Sequence, residues 1–172
     1  MRAVFLVLLL VVAGCAHRGT PTADTLAMPA DFAGTVAYGN GSVPPPYHYQ
    51  WEVTFDDSTA VVVWQPGYGE DAPWRETADI TSDQRSHLYD RLSDLGVFDL
   101  TKVDDDGMVG GPGGHLEITA DGRTYNPGSL GESEKSAALL KKVADAVKDL
   151  VPAGVWAGLQ AKQDDWSARQ PK

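Results

Sequence analysis

The chain has 172 residues and a formal net charge of −10, from 24 Asp and Glu against 14 Lys and Arg. That length holds one ordinary domain, and the acidic balance excludes nucleic acid as a partner held by bulk charge. With 42% hydrophobic and 22% charged residues the composition is that of a globular protein, which excludes wholesale disorder.

Residues 3–13 read AVFLVLLLVVA, eleven apolar residues behind a single arginine, Arg2. A spanning helix needs about 20 such residues and an export leader only about 7–15, so the length predicts a leader. It ends in Val12, Ala13, Gly14 and Cys15, which resembles the lipobox of bacterial lipoproteins. The resemblance implies that residues 1–14 are a signal peptide, that the Cys15 thiol takes a diacylglyceryl group, and that Cys15 becomes the first mature residue. It further implies a protein lipid-anchored on the extracytoplasmic side of the cell membrane, or in an outer membrane where the host has one. Two acyl chains, at ~0.8 kcal/mol per buried methylene, hold a protein on a bilayer stably. The leader carries one Arg and no acid, so its removal takes the charge from −10 to −11. Cys15 is the sole cysteine, so the exported domain has no disulfide and rests on its core.

Residues 15–30 are small and polar with two prolines and read as the lipidated cysteine and a flexible tether. One α+β domain is expected over residues 31–160, followed by a polar tail over 161–172. A short strand at 35–38 is followed by a loop containing Pro44, Pro45 and Pro46, which cannot join a ladder. Over residues 47–55, Tyr47, Tyr49, Trp51, Val53 and Phe55 alternate with His48, Gln50, Glu52 and Thr54, the period of a strand with one buried face. Asp56, Asp57 and Ser58 turn the chain into the apolar run 60–64, and Trp74, Glu76, Ala78 and Ile80 share one face of a further strand. Thr81 and Gln84 form a capping box for a helix reaching Leu95, with Leu88 and Leu92 at helical spacing and Gly96 as its left-handed stop. After a Gly-rich acidic loop, Leu116 and Ile118 mark a strand, Asp121-Gly122 a hairpin turn and residues 123–126 the return. A second helix runs from near Glu132, capped by Ser129 or Ser133, to Pro152. Trp156, Leu159 and Trp166 lie in a tail that reads as a short docked helix or a frayed end. Strands, helix, hairpin, helix, without alternating strand–helix units, predict an antiparallel sheet of five to six strands with two helices on one face.

No constellation for catalysis emerges. His17, His48, His87 and His115 form no metal motif, and no cysteine remains for zinc after lipidation. Asp104, Asp105, Asp106 and Gly107 resemble a calcium loop in composition but not in spacing, since Lys102 and Gly113 would stand at ligand positions. The glycines of residues 107–114 precede a strand and lack a phosphate-loop lysine, and Ser129 lacks the first glycine of a nucleophile elbow, where Pro127 stands. Neither cofactor nor metal is expected. Glu52, Glu76 and Glu117 would support hydrolysis only if they converge in one cleft. Nine of the fifteen aromatics lie between Phe32 and Trp74. Most alternate as core residues, whereas Tyr68 and Trp74 flank a loop and are the candidate partner-binding residues.

Asp31-Phe32-Ala33-Gly34, the run Gly96-Val97-Phe98-Asp99-Leu100 after Leu88 and Leu92, and the hairpin 116–125 ahead of a helix resemble emfourin-type inhibitors of thermolysin-like metallopeptidases and related bacterial lipoprotein domains. The long proline loop, the Gly-rich insertion and the Trp-bearing tail depart from that pattern, and no inhibitory residue maps onto this chain. The sequence thus carries the expectation of a non-enzymatic, lipid-anchored binding protein with an unknown protein or cell-wall partner. Its alternatives are a peptidase inhibitor and a module binding wall glycans.

Overall fold

A computed structural model describes residues 27–69, 71–103, 106–107 and 109–171. The expected leader, Cys15 and the tether up to residue 26 lie outside the described residues, as do Glu70, Asp104, Asp105, Met108 and Lys172. No described helix is long and apolar enough to cross a membrane.

Seven strands form one antiparallel sheet: β1 (Ala33–Gly39), β2 (Tyr49–Phe55), β3 (Thr59–Pro66), β4 (Trp74–Asp79), β5 (Gly113–Ala120), β6 (Arg123–Tyr125) and β7 (Ser129–Leu130). Their order is β4-β3-β2-β1-β5-β6, with β7 paired to the start of β5. Three helices follow the chain order α1 (Ser82–Asp94), α2 (Glu134–Leu150) and α3 (Ala153–Ala168). The α+β class is as expected. The additions to the expected count are the two-residue β7 and the helix α3.

Alternation along the strands separates two faces. Val36 stands opposite Val53 and Leu116, and Val53 opposite Val62, and all four are fully buried in one row. This face also carries Trp51, Phe55, Ala60, Trp64 and Ile118 and is covered by the helices, α2 over β1 and β5, α3 over β3 and β4. Phe32 leads into β1 and joins sheet to helices, its ring 5.3 Å from Phe55 and 5.2 Å from Tyr89 of α1. Gly114 is required on this face because a Cβ there would lie 2.1 Å from the Ala37 carbonyl oxygen.

Element ends follow the local chemistry read from the sequence. Thr81 and Gln84 form the capping box of α1, and Gly96 takes φ 70 after its last turn. At α2 the cap is Ser133, answered by Ser136, while Ser129 lies in β7. Asp121 and Gly122 both have positive φ, 54 and 67, as a two-residue hairpin of this kind demands. The Asp31 carboxylate accepts from both of their amides, at 2.8 and 2.7 Å.

Two expectations are corrected. The alternating strand begins at Tyr49, not Tyr47, because the amides of Tyr47 and His48 are consumed by a 3-10 turn over Pro45–Tyr47. Tyr47 is therefore exposed and His48 buried, the reverse of the pattern's assignment. The chain after residue 160 is not a separate polar tail but the second half of α3. Leu159 and Gln163, one turn apart, both point inward, and Gln163 Oε1 accepts from Trp64 Nε1 at 3.0 Å. A polar residue at an inward position is what concealed that stripe.

Candidate functional site

No helix of the described residues covers the second face of the sheet. Its central row runs Arg75, Val63, Glu52, Ala37, His115 and Ser129 across β4, β3, β2, β1, β5 and β7. The adjoining row runs Gln65, Gln50, Gly39 and Gly113. Where Ala37, Gly39 and Gly113 fall together the side chains are too small to fill the surface. A groove of about 470 Å³ results, walled by Gln50, Glu52, Val63 and Gln65 on one side and His115 on the other, with Gly41 and His48 at its end.

The end wall is built rigidly. Asn40 ties the loop after β1 to the start of β2, its Nδ2 donating to the Tyr47 carbonyl at 2.9 Å and its Oδ1 accepting from the Tyr49 amide at 3.1 Å. His48 Nδ1 faces the Gly41 carbonyl at 2.9 Å and is therefore the donor, which leaves Nε2 to accept from Gln50 Nε2 at 3.1 Å. Tyr68 stacks on His48, with ring centroids 3.9 Å apart and planes 6° from parallel, and its hydroxyl donates to the Val43 carbonyl at 2.6 Å. Gln65 Nε2 donates to the carbonyls of Asp71, at 2.8 Å, and Pro66, at 3.1 Å. From the covered side, α3 holds the same loops: Ser167 donates to the Pro46 carbonyl and Trp166 Nε1 to Asp71 at 2.7 Å.

The two aromatics expected to bind a partner separate. Tyr68 is exposed beside the groove but clamped by its stack and its hydroxyl. Trp74 begins β4, as the strand reading has it, and stands opposite Trp64, partly buried against the core. The three glutamates do not converge in one cleft. Glu76 bonds Lys162 at 2.6 Å from the covered side, and Glu117 accepts from Asn126 at 3.2 Å on the outer face two strands away from Glu52. Among the described residues no group of three His, Cys, Asp or Glu is placed to hold a metal ion.

Sequence reasoning passed over Gln65 and the small residues Ala37, Gly39 and Gly113 as parts of a site, and weighed His115 only as a metal ligand. The available signal was the outward phase of β1, where Ala37 and Gly39 leave a gap between longer neighbours. Its meaning depends on β2 and β5 lying on either side, which local sequence does not specify.

No family model and no curated protein matches the chain.

Proposed function

We propose that the chain is an extracytoplasmic protein of binding type, held at the membrane through lipid on Cys15, whose recognition surface is the groove on the uncovered sheet face. The observation that carries the reading is a set of polar side chains fixed by internal bonds around a floor of two glycines and an alanine. A pre-formed concave site with few, oriented polar groups is the common form of a small-ligand site. The lipobox resemblance supplies the anchor.

A photo-reactive diazirine residue at position 37, in the full-length protein on intact cells, tests the site. Adducts are expected from position 37 and not from the same residue at position 165 on α3. Identical adduct patterns, or none at either position, would remove the groove as the binding surface. For the anchor, Cys15→Ser is expected to abolish incorporation of labelled fatty acid, and normal labelling would overturn the assignment.

A second reading, glycan binding, is favoured by Tyr68, an exposed ring already immobilised by His48 and Val43 and so available for stacking at little entropic cost. Wall fragments that quench protein fluorescence in the wild type but not in Tyr68→Ala would support it. Peptidase inhibition rests on the sequence resemblance alone.

A further inference from the structure

Given the reading of the groove as the binding surface, we infer that its ligand carries a primary ammonium group on a short alkyl chain, as in a di- or polyamine. The argument is one of unmatched acceptors. Gln65 spends both amide hydrogens on the Asp71 and Pro66 carbonyls, so only its oxygen remains for a ligand. Gln50 stands directly opposite Gln65 in the ladder and gives one amide hydrogen to His48, which leaves its oxygen and its second amide hydrogen open to the groove. Glu52 follows Gln50 on the same face, partly buried, and among the described residues neither hydrogen bond nor ion pair reaches its carboxylate. Opposite cross-strand positions lie about 5 Å apart and diagonal ones about 7–8 Å, so one small group can reach all three oxygens.

Among the described residues no Lys or Arg lines the groove. Its two imidazoles are His48, with both ring nitrogens bonded to Gly41 and Gln50, and His115 on the far wall, and Arg75 lies beyond Val63 in the same row. A pocket with three open acceptor oxygens, one of them on a carboxylate that no described cation pairs, is completed by a ligand with several donors and positive charge. An ammonium group supplies three donors and no acceptor. A metal ion would need a cluster of ligating side chains, and the described residues hold none. A neutral sugar brings acceptors as well as donors, and no aromatic ring of the outer face forms the floor for it to stack on. Ala37, Gly39 and Gly113 make that floor apolar, with Val63 in the wall beside it, suited to methylenes. The chain's charge of −10 raises the local concentration of cations generally.

The test is calorimetric titration of the full-length protein, purified in non-ionic detergent, with cadaverine and spermidine, using 1,5-pentanediol as the neutral match. Saturable binding of the amines and none of the diol is expected. Glu52→Gln should weaken amine binding about tenfold or more, the scale of a hydrogen bond to a charged group. Asp165→Asn, which removes an exposed charge on α3, should change it less than twofold. Equal binding of the diol, equal loss in both variants, or no saturable amine binding would each overturn the ammonium assignment. Adducts at position 37 without amine binding would leave the groove as the site and reject only its ligand chemistry. Their absence rejects the groove itself.

Discussion

One sheet presents two faces built from the same strands, and the two differ in what lines and covers them. On the covered face Val36, Val53, Val62 and Leu116 form an apolar row sealed by α2 and α3. On the open face the neighbouring row is Arg75, Val63, Glu52, Ala37 and His115. Because side chains alternate, one strand carries two independent compositions, one free to hold the fold and the other free to bind. Substitutions one residue apart should therefore have sharply different consequences.

The largest contrast is expected at the end of β2. Phe55→Ala removes a fully buried ring that meets Phe32 and should cost about 3–5 kcal/mol in denaturant unfolding. Thr54→Ala, its outward neighbour, should cost less than about 1 kcal/mol. Equal effects would mean that the open face is itself covered in solution.

The adjacent glycines of β5 sharpen the same comparison. Gly114→Ala drives a Cβ to within 2.1 Å of the Ala37 carbonyl oxygen and 3.1 Å of Leu140 Cδ1, and should cost about 3 kcal/mol. At Gly113 the nearest atom to an added Cβ is 3.8 Å away, so Gly113→Ala should fold normally, its methyl group shallowing the groove floor. Matched unfolding curves for the two variants would place β5 in the wrong register.

Thr81→Ala removes the cap of α1, one of the covering elements, and should lower stability by about 1 kcal/mol with no effect on groove binding. A binding defect in that variant would show the two faces to be coupled.

The smallest expected effect is a pH dependence at Asp31. The Gly122 amide, and with it that of Asp121, holds this carboxyl below its ordinary 3.8. A lowered folded value stabilises the fold fully above about pH 3.8 and the contribution disappears as pH falls through the lowered value. Asp31→Asn should flatten that part of the acid unfolding profile without moving stability's pH dependence near neutrality. An unchanged acid limb would assign it elsewhere, with Asp56 next, since the Ser58 and Thr59 amides lower its carboxyl in the same way.

Local rules carried far in this chain where the relevant partners are close in sequence. The Thr81–Gln84 box, the Gly96 stop and the Asp121-Gly122 turn each depend on groups within a few residues, and each is found where the sequence places it. They ran out at His48, where Pro45 and Pro46 impose a 3-10 turn that shifts the strand's start and buries a histidine under Tyr68. They also ran out at α3, whose inward Gln163 reads as a polar break until Trp64, 99 positions away, supplies its partner.

By itself the sequence determined the α+β class, the main strands, two of the helices and the cap of α1, because hydrophobic period and end chemistry are short-range properties. Only the tertiary structure decided that Ala37, Gly39 and Gly113 lie side by side, that Gln50, Gln65 and Glu52 gather beside them, and that Tyr68 is separated from Trp74. Those adjacencies come from strand order, in which β5 returns beside β1 after a helical crossover, and strand order is set by long-range pairing that no local pattern encodes.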